Sequence, residues 1–189
     1  MKVVILGKGE MLANLIEGVQ TSNCDIVGVF RHERTWMNSF RLFVQDFFKS
    51  SSEVTLIKKL KLYEIKLKSA NSIDFKKVIL KLNPDIILVG TWKEKLKKEI
   101  FDLPKIATIN VHPSLLPKYR GPNPYLQTIL HGEKYSGVTF HLMSEKFDAG
   151  PILSQQKIEL LPCDTSKELR EKTVFQARLL CRELLNKLN

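Results

Sequence analysis

Asn110 and His112 stand two residues apart at the end of an apolar run, residues 106–111, and Asp148 lies further along in a loop that ends in Gly150. In a β-strand, residues i and i+2 project from the same face. An amide and an imidazole would therefore point side by side into one cleft, and a loop carrying a carboxylate could fold over to meet them. Such a set does two jobs. The amide N–H stabilises an oxygen that becomes negative, as does the imidazole when protonated, and the carboxylate accepts a proton directly or through water. These are the needs of an acyl-type transfer. A carboxylate beside His112 is further expected to raise the pKa of the imidazole. The plainer reading is that Asn and His at a strand end close a loop, and that Asp before Ala-Gly is ordinary turn chemistry.

The elements that must position these residues can be read outwards from them. Residues 3–6 (VVIL) form a continuous apolar run, the pattern of a parallel strand buried on both faces, and they stop at Gly7-Lys8-Gly9. Leu12, Leu15, Ile16 and Val19 follow at helical spacing. Residues 25–30, 62–65, 85–89 and 106–111 read as the second to fifth strands, with helices over 74–82 and 95–101. Strands alternating with helices predict a doubly wound, mostly parallel α/β sheet. In such a sheet ligands bind outside the carboxyl ends of the strands, where strand order reverses. The segments at 7–9, 90–93 and 110–112 all lie at those ends. Beyond Pro117 the pattern changes. Residues 124–131 read as a helix, and 137–143 and 150–159 as an antiparallel strand pair around Asp148. Thr165-Ser166-Lys167-Glu168 is a capping box that opens a terminal helix striped by Leu169, Val174, Ala177, Cys181, Leu184 and Leu188. The aromatic and basic segment 31–49 is partly helical in pattern and has no settled place in this scheme.

The 189 residues are expected to form one domain, 1–189, since an apolar fraction of 43% and a charged fraction of 26% are those of an ordinary globular chain. No apolar run approaches the roughly 18 residues that span a bilayer, and the apolar start before Gly7 is too short for a signal peptide. A cytoplasmic protein that binds no membrane is expected. Cys24, Cys163 and Cys181 are widely spaced, with no Cys/His cluster; they read as free thiols, and no metal site is visible. The net charge of +10 favours anionic partners such as nucleic acid, nucleotide phosphates or a folate's glutamate tail. Many of the lysines alternate with Leu and Glu, which also suits a solvated helix face.

Three strings, NVHPSLLPKYRG, GVTFH and DAGPIL, in this order and at these distances, resemble the catalytic half of the folate-dependent formyltransferases. That family includes enzymes acting on methionyl-tRNA, on glycinamide ribonucleotide and on amino sugars. The resemblance implies a Rossmann-like domain that moves a formyl group from 10-formyltetrahydrofolate to a primary amine, with Asn110, His112 and Asp148 as its catalytic set. It implies that Thr91, Trp92 and Lys93, with Phe147 on the facing loop, line the pterin pocket. Trp92 is alternatively a core aromatic. Gly9 and Glu10 fall where the glycinamide ribonucleotide enzymes hold a substrate phosphate, and a glutamate there would repel one. Arg120 and Gly121, in the RGPNP turn, favour the methionyl-tRNA and sugar branches; Arg120 either binds an acceptor phosphate or is a loop charge. The acceptor amine is expected on tRNA, nearest to the methionyl-tRNA enzymes, or on an amino-sugar nucleotide, with glycinamide ribonucleotide as a further alternative. The competing class is a non-enzymatic folate or nucleic-acid binder on the same fold, which would have no use for a matched proton acceptor.

Overall fold

The computed structural model describes residues 1–31 and 52–189. Its six strands are β1 (Lys2–Gly7), β2 (Asp25–Arg31), β3 (Ile86–Gly90), β4 (Ala107–His112), β5 (Tyr135–Leu142) and β6 (Ile152–Glu159). They form one sheet in the order β2-β1-β3-β4-β5-β6. The first four are parallel, and β5 and β6 add antiparallel to the β4 edge. The helices are α1 (Gly9–Gln20), α2 (Ser52–Lys59), α3 (Ile73–Leu82), α4 (Lys98–Phe101), α5 (Pro124–Leu130) and α6 (Ser166–Leu188). Among the described residues, no helix is long and apolar enough to cross a membrane.

The unbroken apolar run in β1 is explained by two cores. Val3 and Ile5 pack with Leu12, Leu15 and Ile16 of α1 and with Ala177, Cys181 and Leu184 of α6. Val4 and Leu6 face the other way, into Phe30, Phe75, Ile79 and Ile100. Each face of the sheet is thus covered, as a parallel sheet requires. The capping box is made: Thr165 accepts from Lys167 N at 3.2 Å and donates its own N–H to Glu168 Oε2 at 3.1 Å. Strand order reverses between β1 and β3, where Gly7 and Gly90 are register partners. A Cβ on Gly7 would lie 2.6 Å from the Gly90 carbonyl oxygen, so only glycine lets the two strand ends approach this closely.

Two expectations are corrected. Residues 62–65 are not a sheet strand. They make a single parallel bridge, Val29 to Glu64, at the open edge of β2. Of the four only Ile65 is buried, and exposed lysines follow at 66 and 68, so there is too little apolar surface to extend the sheet. The helix expected over 95–101 shrinks to the four residues of α4. Asn71 takes the acceptor an earlier start would need, since its amide donates to Lys95 O at 2.9 Å, and its oxygen caps the Lys97 N–H at 2.8 Å just ahead of α4. Apart from Arg31, whose Nε meets Glu64 Oε1 at 2.7 Å, the segment 31–49 lies outside the described residues.

Candidate active site

The β4 ladder sets the site. Asn110 and His112 share a face of β4, and on β5 their register partners are His141 and Thr139. β5 leads through the loop 143–151 into β6, and that loop returns Asp148 across the carboxyl end of β4. The loop is tightly closed at its base. Leu142 N donates to Pro151 O at 2.9 Å, and Asp148 adopts a left-handed backbone (φ 47°), which Asp tolerates better than most residues.

The three predicted residues meet. Asn110 Nδ2 lies 3.1 Å from Asp148 Oδ1, and His112 Nδ1 lies 3.4 Å from Asp148 Oδ2. Two backbone groups hold the pair from the turn after β4. The His112 Nε2–H donates to Tyr119 O at 2.8 Å, and Gly121 N donates to Asp148 Oδ2 at 2.8 Å. A fourth side chain joins them. His141 Nε2 is 3.0 Å from Asn110 Nδ2 and 3.6 Å from Asp148 Oδ1, and its Nδ1 is 2.9 Å from Leu142 O. In a neutral ring these contacts select one tautomer, with Nδ1–H donating to the carbonyl and Nε2 accepting from the Asn110 amide. His141 was not among the predicted site residues. The signal was present in the GVTFH string, but its meaning depends on the β4–β5 register that places it opposite Asn110.

Burial governs the electrostatics. His112 is only 5% exposed, and loss of solvent pushes its pKa below that of a free imidazole; the Asp148 charge and the Tyr119 carbonyl oppose this without reversing it. The expectation of a raised pKa is therefore overturned, because desolvation outweighs the attraction of the carboxylate. Burial also works to raise the pKa of Asp148. It is outweighed by the interaction with His141, the charge of His112 and the Gly121 N–H, and the carboxyl sits below its usual range. Near neutrality the pair is thus a carboxylate beside a neutral imidazole. With Nε2–H committed to Tyr119, the Nδ1 lone pair faces Asp148, and a proton arriving there would be stabilised by that carboxylate.

A search against models of known families matches residues 1–183 to the formyl transferase model. The chain belongs to the formyl transferase family. Methionyl-tRNA formyltransferase of Thermotoga maritima is 29% identical over 188 residues, covering 100% of this chain and 58% of that protein. The enzyme of the same name from Lysinibacillus sphaericus is 44% identical over 107 residues, 57% of this chain and 34% of the relative. The bifunctional polymyxin resistance protein ArnA of Wigglesworthia glossinidia brevipalpis is 36% identical over 148 residues, 76% of this chain and 22% of ArnA. The chain thus spans less than two thirds of these relatives. Among solved structures, phosphoribosylglycinamide formyltransferase of Bacillus halodurans superposes with a TM-score of 0.81 at 20% identity, covering 100% of this chain and 95% of the other, a likeness of fold.

The other predicted site residues are placed around this centre. Thr91, in a left-handed conformation (φ 56°), and Lys93 are exposed on the loop after β3. Trp92 between them is half-buried and turns towards the second core, its ring centroid 5.1 Å from that of Phe30. Phe147 is 63% exposed, and Lys95 Nζ lies 5.2 Å from its ring centroid, so the β3 loop and the Asp148 loop meet. Gly121 joins the Asn110–His112–Asp148 cluster through its N–H, whereas the Arg120 side chain is exposed. At the α1 terminus Glu10 is exposed, and Gly9 N donates to Glu53 Oε1 at 3.0 Å. Glu53 is 7% exposed, and because its contact spans 44 residues of sequence no local pattern marks it.

Proposed function

We propose that this chain transfers a formyl group from 10-formyltetrahydrofolate to a primary amine, in the manner of the methionyl-tRNA formyltransferases. The observation that carries this reading is the convergence of an amide donor, Asn110, with two proton acceptors, His112 Nδ1 and Asp148 Oδ2. A binding module has no need of that pairing. When bound, the folate supplies the formyl carbon that the amine attacks. Asn110 donates to the oxygen that becomes negative, and Asp148 with His112 removes the proton that the amine must lose. The left-handed Thr91, the half-buried Trp92, Lys93 and the exposed ring of Phe147 are assigned to the donor, on the two loops that meet beside the catalytic cluster. Arg120, on the turn that holds Asp148, is assigned to a phosphate of the acceptor. The Glu53 carboxylate on Gly9 N, with Glu10 next to it, disfavours a phosphate at the α1 terminus and so disfavours glycinamide ribonucleotide.

The test is an acceptor panel. The protein is incubated with 10-formyltetrahydrofolate and with methionyl-tRNA, an amino-sugar nucleotide or glycinamide ribonucleotide, and folate release is followed. Turnover on methionyl-tRNA should fall steeply with added salt, because each neutralised phosphate contributes about one unit to the slope of log affinity against log salt. Activity confined to the sugar nucleotide would move the assignment to the other branch. No turnover with any amine would reject formyl transfer.

The pH dependence follows from the burial of His112. Acid should inactivate by protonating an imidazole whose pKa is lowered, so the acid limb of kcat/KM is expected at a pH below that of a free histidine. A limb displaced to higher pH would show that Asp148 dominates over desolvation after all.

A further inference from the structure

Tyr119 has a left-handed backbone (φ 55°) although it is not glycine. A bulky residue holds this conformation only where its surroundings impose it. Here the surroundings can be named. The Tyr119 hydroxyl donates to Glu133 Oε1 at 2.7 Å, and Lys118 Nζ meets the same oxygen at 2.9 Å. These two partners hold the Glu133 carboxyl below its usual pKa range, so it is an anion and an acceptor for both. Glu133 lies on a separate piece of chain, in the turn between α5 and β5, where Gly132 N bonds to Ile129 O at 3.0 Å and Glu133 N to Thr128 O at 3.3 Å. The Tyr119 ring also packs against His131, with centroids 5.6 Å apart. At the other end of the same residue, the Tyr119 carbonyl receives the Nε2–H of His112.

The start of the turn is anchored independently of this contact. Ser114 Oγ donates to Lys118 O at 2.7 Å, Thr139 Oγ1 donates to Ser114 O at 2.6 Å, and Gln155 Nε2 donates to Leu116 O at 3.1 Å. What these bonds do not fix is the direction of the next carbonyl, that of Tyr119. We infer that Tyr119 and Glu133 are positioning residues: their hydroxyl–carboxylate bond keeps the Tyr119 carbonyl aimed at His112, which locks the imidazole in its Nε2–H tautomer and leaves Nδ1 facing Asp148. The inference rests on the formyl-transfer reading for its consequence in catalysis, but not for the tautomer itself. Without the lock, the neutral ring is free to place its proton on Nδ1, pointing it at the carboxylate, and the acceptor nitrogen is lost.

The test separates the two. In the free protein, without donor or acceptor, 15N spectra of the histidine side chains report which ring nitrogen of His112 carries the proton. Tyr119→Phe and Glu133→Ala should each shift His112 from a single Nε2–H form to a mixture, whereas Lys118→Ala, which removes an exposed ion pair and keeps the hydroxyl–carboxylate bond, should leave the spectrum as it is. In turnover assays the first two variants should lose about 10–100-fold in kcat, the scale on which outer partners of metal-bound histidines act, with the KM for the folate unchanged. An unaltered His112 spectrum in Tyr119→Phe overturns the inference even if the protein formylates an amine. A shifted spectrum with undiminished kcat overturns the positioning role. If no amine is formylated by the unmodified protein, the tautomer result still decides whether Tyr119 sets the ring.

Discussion

The Asp148→Asn variant is expected to lose turnover by about 10²–10⁴-fold, the usual worth of a positioned proton acceptor, while still binding 10-formyltetrahydrofolate. An asparagine keeps the size of the side chain and one oxygen that can accept from Gly121 N or Asn110, so the loop should keep its path. It has no charge and no basic oxygen. The amine proton then has nowhere to go but His112, and the imidazolium formed there is no longer stabilised by a carboxylate 3.4 Å away. Because the Asp148 charge works to raise the His112 pKa, the variant should show that pKa falling still further below the free value. Fluorescence titration with the folate measures binding, single-turnover formylation measures chemistry, and an NMR titration follows His112. Turnover near that of the unmodified protein would show that the proton leaves by another route. An unmoved His112 pKa would remove the coupling between the two residues.

Gly150→Ala is expected to cripple the proposed formyl transfer without touching a reacting group. A Cβ on Gly150 would lie 1.9 Å from the Leu142 carbonyl oxygen and 2.9 Å from its carbon, and both are backbone atoms that cannot swing aside. The neck of the loop between β5 and β6 has to open, and with it the Leu142–Pro151 hydrogen bond. Asp148 is two residues away. A displacement of about 1 Å at a catalytic group costs on the order of 10²-fold in rate, and the forced contact should lower the melting temperature as overpacking does, by roughly 1–3 kcal/mol of stability. Thermal unfolding and kcat are the measurements. Rate and stability both unchanged would mean that the loop accommodates the methyl group and that the closeness of its base does not position Asp148.

These effects could be foreseen from the sequence only in part. The both-faced apolar run of β1, the i, i+2 pair on β4, the antiparallel pair and the capping box are local patterns, each set by the period of one element or by residues within one turn. The third strand failed because four residues with one buried apolar side chain do not make a sheet edge, and α4 started late because Asn71, far away in sequence, competes for its backbone. His141 lay in view within GVTFH, but a histidine on a strand says nothing until the neighbouring strand is in register. The sign of the His112 shift needed the burial of the folded state. Trp92 was open between pocket wall and core, and the structure turns its ring towards Phe30 without taking its loop away from Phe147's.

The carboxylate of Glu53 on Gly9 N has a thermodynamic consequence for any acceptor. It behaves as a ligand tethered to its own receptor. A group held in place by the fold competes as an intramolecular ligand, whatever is dissolved outside. A phosphate seeking the N–H at the head of α1 must displace an internal anion before it gains a hydrogen bond, and it must then sit near the charge it has expelled. Binding energy for the acceptor therefore has to come from elsewhere on the surface, from groups such as Arg120 that carry no internal competitor among the described contacts. Under the proposed formyl transfer, acceptor selection is thus set partly by a site that is closed to anions.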